Sequence, residues 1–187
     1  MHIVYGGAFN PLTKAHIDIV NLILKTYKNS KVIIVPVGND YNKSELIDFH
    51  DRYNMINLVF KNNKNVIVSK IEHENVFQGT IETLNKLSET YSNIHLLVGS
   101  DNILYFDKWI KYEKLLSTYP LLIVNRDNVL INNVMSKYNY LNVKFNIIKY
   151  NSEINSSLIR KDINKYKEWL NIDVFNYIKE NKLYGAD

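Results

Sequence analysis

The chain has 187 residues, 46% hydrophobic and 22% charged, the balance of an ordinary globular protein long enough to bury one sizeable core. It contains no cysteine, which excludes disulfides and thiolate metal sites. The net charge of +4 is scattered among Asn, Tyr and Ile with no dense basic block, which argues against a nucleic-acid surface and leaves a mild bias toward anionic ligands.

The opening residues MHIVYGG lack a charged segment leading into a long apolar one, so no signal peptide is expected. Residues 3–5 form an apolar run closed by Gly6-Gly7, which reads as a buried strand ending in a tight turn. Asn10 offers an N-cap and Pro11 a first helical position. Ala15, Ile19, Leu22, Ile23 and Tyr27 then recur at helical spacing, predicting a helix over 11–27. Further strands are expected at 31–37, 65–71, 94–98, 120–125 and 143–148. Helices are expected between them at 52–60, 79–91 and 106–116, and at the end of the chain over 157–169 and 174–181. The Asn-rich segment 125–142 reads as a loop with a short helix. No apolar run reaches the roughly 18 residues needed to span a membrane, so the expected setting is the cytoplasm.

Near-continuously apolar strands alternating with helices predict an α/β fold. The expectation is a doubly wound, Rossmann-like parallel sheet with helices on both faces and a C-terminal helical segment. One domain is expected over 1–187, with C-terminal helices at 156–182 packed on it. Ligands of such sheets bind beyond the carboxyl ends of the strands. The turn after the first strand, the turn at Gly99 to Asp101 and the start of a late helix should therefore meet.

The segment from Gly6 to His16, GGAFNPLTKAH, carries the strongest signal. Its glycines permit close backbone approach, and the following helix start offers N–H groups and a positive dipole end to a phosphate. Thr13 and His16, three residues apart, share a helical face and can donate to phosphate oxygens in a transition state. His16 alone would read equally well as a surface histidine. A second string, Ile154 to Arg160 (INSSLIR), repeats the device: a serine cap at Ser156 or Ser157 and Arg160 on the same face as Ser157.

The first string resembles the G-x-F-x-P-x-[H/T]-x-x-H signature of the nucleotidylyltransferase superfamily with the H-x-G-H type motif, Thr13 standing at the first His position. The second resembles that superfamily's I-S-S-T-x-I-R, with Asn155 and Ser157 as replacements. Weaker strings are similar to nicotinate mononucleotide adenylyltransferases. They are Gly99-Ser100-Asp101-Asn102 with Phe106, Trp109, Tyr112 and Leu115-Leu116; Gly79-Thr80-Ile81-Glu82-Thr83-Leu84; Asp51-Arg52 with Met55; and the final stretch from Val174 to Tyr184. Gly79 replaces the family's aromatic, and the P-P-H-K loop is replaced by Gly38 to Lys43.

The resemblance implies transfer of AMP from ATP to nicotinate mononucleotide, giving nicotinate adenine dinucleotide and pyrophosphate in NAD biosynthesis. It implies catalytic roles for His16, Thr13 and Arg160. ATP would be bound by Gly7, Ala8, Phe9, His16, Gly99, Asp101, Ser157 and Arg160. Lys43, Arg52, Thr80 and Trp109 would bind the acceptor, with the Trp109 ring stacking on the pyridine; taken alone, Trp109 reads as core. Mg²⁺ is expected to arrive bound to substrate phosphates, with no protein ligands of its own. Partners are small molecules, not nucleic acid or membrane, and self-association is left open. The choice between nicotinate and nicotinamide mononucleotide also stays open. Adenylyl or cytidylyl transfer to another phosphate such as phosphopantetheine, a non-catalytic nucleotide sensor and an RNA-binding role stand as alternatives.

Overall fold

The computed structural model describes residues 1–40, 45–74, 76–125 and 129–186. Six strands form one parallel sheet: β1 (His2–Gly7), β2 (Lys31–Pro36), β3 (Val66–Val68), β4 (Ile94–Gly99), β5 (Leu121–Asn125) and β6 (Phe145–Lys149). Their order is β3-β2-β1-β4-β5-β6, the expected doubly wound arrangement, with the chain reversing direction across the sheet between β1 and β4.

Strand alternation sends side chains to two separate cores. Ile3, Tyr5, Val32 and Ile34 face one cluster, shared with helix α1 (Lys14–Thr26), helix α2 (Phe49–Phe60) and the late helix at Ile172–Glu180. Val4, Ile33 and Val35 face the other, shared with α3 (Thr80–Ser88), α4 (Ser100–Ile103), α5 (Tyr112–Thr118) and α6 (Ile131–Met135). The chain ends with α7 (Ser156–Lys161) and α8 (Ile172–Glu180). Tyr177 of α8 donates from its hydroxyl to Asp51 Oδ1 of α2 at 2.8 Å, joining the C-terminal helix to the body. No helix among the described residues is long and apolar enough to cross a membrane.

Three helix expectations are corrected. The first helix starts at Lys14, capped by Thr13 and not by Asn10, because Thr13 and His16 form a reciprocal capping box that residues 10 and 11 cannot supply. The expected helix at 106–116 is broken into a 3₁₀ turn (Phe106–Lys108), an extended Trp109 and α5 after Lys111, whose φ is 52°. The expected helix at 157–169 stops at Lys161. The Asp162 carboxylate accepts the Lys165 amide at 2.9 Å, and this local turn competes with the helical ladder.

Gly38, just beyond β2, lies against the main chain after β3. A Cβ there would stand 2.3 Å from the Glu72 carbonyl oxygen, a backbone atom that cannot rotate away. Gly38→Ala is therefore expected to cost about 2–3 kcal/mol through overpacking, read as a lower midpoint in thermal unfolding.

Candidate active site

The carboxyl ends of β1, β2 and β4 open into a cavity of about 470 Å³ at the switch point. Gly7, Ala8, Phe9 and His16 line one side of it; Gly99 and Asp101 line another; Thr80 and Trp109 close a third. Eight sequence-derived positions thus share one chamber, although they come from four separate stretches of chain.

His16 is aimed by its own helix cap. The Thr13 backbone N–H donates to His16 Nδ1 at 3.0 Å, and the Thr13 hydroxyl lies 2.8 Å from the same nitrogen. A backbone N–H can only donate, so Nδ1 is the acceptor and the ring proton sits on Nε2. The imidazole also packs edge-on to Phe9, with ring centroids 5.2 Å apart. The Thr13 hydroxyl is spent in this cap, and the residue is 1% exposed. Thr13 therefore contacts His16 and does not line the cavity.

Arg160 and Ser157 flank the cavity without lining it. Arg160 Nη1 donates to the Asn10 carbonyl at 2.9 Å, and Nη2 donates to Glu45 Oε2 at 2.7 Å and to Ser157 Oγ at 3.3 Å. Ser156 Oγ donates to the Pro11 carbonyl at 3.4 Å. Ser156 and Arg160 of α7 therefore grip the same short loop that leads into His16. The Arg160 guanidinium donates to the Glu45 carboxylate and holds it below the usual carboxylate range, although Glu45 is itself exposed.

Arg52, expected at the acceptor, does not line the cavity. It is completely buried, and its guanidinium donates to the Ile47 carbonyl at 2.9 Å, the Ala8 carbonyl at 3.1 Å and Asn39 Oδ1 at 3.4 Å. Burial lowers its pKa, with Tyr184, Asp48 and Glu72 acting in the opposite direction. A buried cation needs such partners, and here they are the backs of the loops that form the site. Lys43 lies outside the described residues.

Two contributors escaped the sequence reading. Asn10 is a junction: Nδ2 donates to the Glu45 carbonyl at 2.8 Å, and Oδ1 accepts from the Tyr184 hydroxyl at 2.7 Å. The final Leu-Tyr of the expected C-terminal stretch supplied a signal for Tyr184, but not its target. Glu72 lines the cavity with its carboxyl largely buried, and nothing in the string EHEN singled it out. Gly79, which replaces an aromatic, is explained locally. Its φ is +97°, and a Cβ there would lie 2.8 Å from Ile110 Cβ.

A family model described as cytidylyltransferase-like matches residues 4–162. A probable nicotinate-nucleotide adenylyltransferase from Acholeplasma laidlawii (strain PG-8A) is 39% identical over 186 residues, 98% of this chain and 97% of that protein. One from Caldicellulosiruptor bescii is 31% identical, over 97% of each chain. Among solved structures, the Plasmodium falciparum nicotinic acid mononucleotide adenylyltransferase complexed with NaAD superposes with a TM-score of 0.84 at 24% identity, covering 100% of this chain and 98% of that one. That likeness bears on the fold.

Proposed function

This chain belongs to the cytidylyltransferase-like family, and from that premise we propose that it transfers the AMP unit of ATP to nicotinate mononucleotide, forming nicotinate adenine dinucleotide and pyrophosphate. Relatives that carry this name match almost the full length of the chain. The observation that carries the reading is the shared chamber, which Gly7, Ala8, Phe9 and His16 of the strand–turn–helix line together with Thr80 and Trp109.

An oxygen of the acceptor's 5′-phosphate attacks the α-phosphorus of ATP. A new P–O bond forms, the α–β bridging bond breaks, and pyrophosphate leaves with the electron pair. The attacking oxygen is already anionic near neutral pH, so no general base is required. The protein's work is alignment and stabilisation of spreading negative charge. His16 donates from Nε2 to the α-phosphate. Gly7 and Ala8 bring the main chain close to it, Asp101 lies at the ribose of ATP, and the Trp109 ring stacks on the pyridine. Arg160 and Ser157 bind the outer phosphates from the rim once the exposed Glu45 carboxylate gives way to them. ATP enters as its Mg²⁺ complex. Mg²⁺ would supply charge neutralisation on the phosphates, and its preference for phosphate oxygens and water suits an ion that arrives with the nucleotide.

The test is an acceptor panel. With ATP and Mg²⁺, nicotinate mononucleotide should yield pyrophosphate and dinucleotide in equal amounts, while phosphopantetheine, and CTP in place of ATP, should give little. Failure of both nicotinate and nicotinamide mononucleotide to react would reject the assignment.

A further inference from the structure

Glu72 stands in the cavity wall with no part in the chemistry above. It follows β3 and shares the wall with Thr80, Thr83 and Trp109. Its Oε1 accepts from the Thr83 hydroxyl at 2.9 Å, while Oε2 is buried and has no hydrogen-bond partner among the described residues. Asp101, another carboxyl that lines the cavity, belongs to α4, after β4. A buried carboxylate oxygen without a donor is costly when charged. Because Oε1 is occupied as an acceptor, a proton on this carboxyl belongs on Oε2.

We propose, on the footing of the adenylyl-transfer reading, that Glu72 sets which ring substituent the acceptor half of the cavity admits. With its proton in place, the wall is neutral there and tolerates an anionic carboxylate on the pyridine. Without the proton, the wall is negative, repels that carboxylate and favours an uncharged amide.

The surroundings suit a group that changes charge near neutrality. Burial raises the Glu72 pKa to about 7, opposed by the Thr83 hydrogen bond and by Arg52. From α2, Arg52 faces it with a guanidinium already committed to the carbonyls of Ala8 and Ile47. From α3, Glu82 and Lys86 border a small adjoining cavity that Glu72 also lines. Next in the chain come His73, stacked on Phe49, and Glu74. His16, Asp101 and Lys108 also line the main cavity.

The experiment measures kcat/KM for nicotinate and nicotinamide mononucleotide side by side, from roughly pH 6 to roughly pH 8.5, and follows their ratio. The two acceptors share one phosphate and one His16, so ionisation of those groups cancels in the ratio. In the wild type the preference for the acid should fall roughly tenfold as Glu72 ionises, the scale of a Coulomb repulsion across a partly desolvated wall. Glu72→Gln should hold the low-pH ratio throughout. Thr83→Val removes the bond that lowers the pKa and should move the change to higher pH. A Glu72→Gln ratio that tracks the wild type overturns the proposal, as does a flat wild-type ratio. If Glu72→Gln does not fold, an unshifted midpoint in Thr83→Val overturns it instead. Turnover of neither mononucleotide would remove the adenylyl-transfer reading itself, whereas normal turnover with an unaltered ratio sinks only the role of Glu72.

Discussion

His16→Ala is expected to lower kcat by about 10²–10³-fold, near 3–4 kcal/mol of lost transition-state stabilisation. KM for ATP should change far less, because the interaction is worth most when charge accumulates on the transferring phosphorus. The fold should tolerate the change: the imidazole closes a capping box whose other half, the Thr13 hydroxyl accepting the residue-16 amide, survives. The structure adds a second arm. Thr13→Val removes the hydroxyl 2.8 Å from Nδ1 and leaves the backbone donor at 3.0 Å. The Nε2–H tautomer then persists but the ring is held more loosely, so a loss of roughly tenfold is expected. Steady-state kinetics on the two variants checks both values. Near wild-type turnover in His16→Ala would remove this histidine from the chemistry.

Arg52→Ala should be the most destabilising of these substitutions, by about 4 kcal/mol. It strips the charge-assisted donors from the carbonyls of Ala8 and Ile47 and opens a cavity at a fully buried position. For a chain of this size that corresponds to a fall of roughly 8–16 °C in the unfolding midpoint. Arg52→Lys should recover little, since one ammonium cannot reach three acceptors that a planar fork spans. The contrast with a direct acceptor contact is sharp. Were Arg52 to bind the mononucleotide, its loss would raise the acceptor KM and leave the unfolding midpoint in place.

Much of the chamber is legible in the sequence. Continuous apolar runs at 31–37, 94–98 and 120–125 mark strands buried on both faces, and β2, β4 and β5 follow them closely. Gly7 to His16 could be read as a phosphate turn because the strand, the glycines and the helix start are contiguous. The register of the late helices was less legible. The Asp162 turn and the left-handed Lys111 depend on individual backbone choices that hydrophobic spacing does not encode.

What the sequence determined alone is therefore whatever neighbours in the chain decide together: alternating strand and helix, the cap at a helix start, the chemistry of a short motif. The tertiary structure decided which side of a wall each residue occupies. Arg52 and Glu72 are both charged residues in polar-looking strings, yet one is sealed behind the loops and the other lines the chamber. Trp109 reaches the cavity because its predicted helix breaks just there. The reason is physical: secondary structure follows from interactions within a few residues, whereas burial and pairing of a charge follow from contacts between segments far apart in the chain, such as Arg52 with Ala8 or Tyr184 with Asn10.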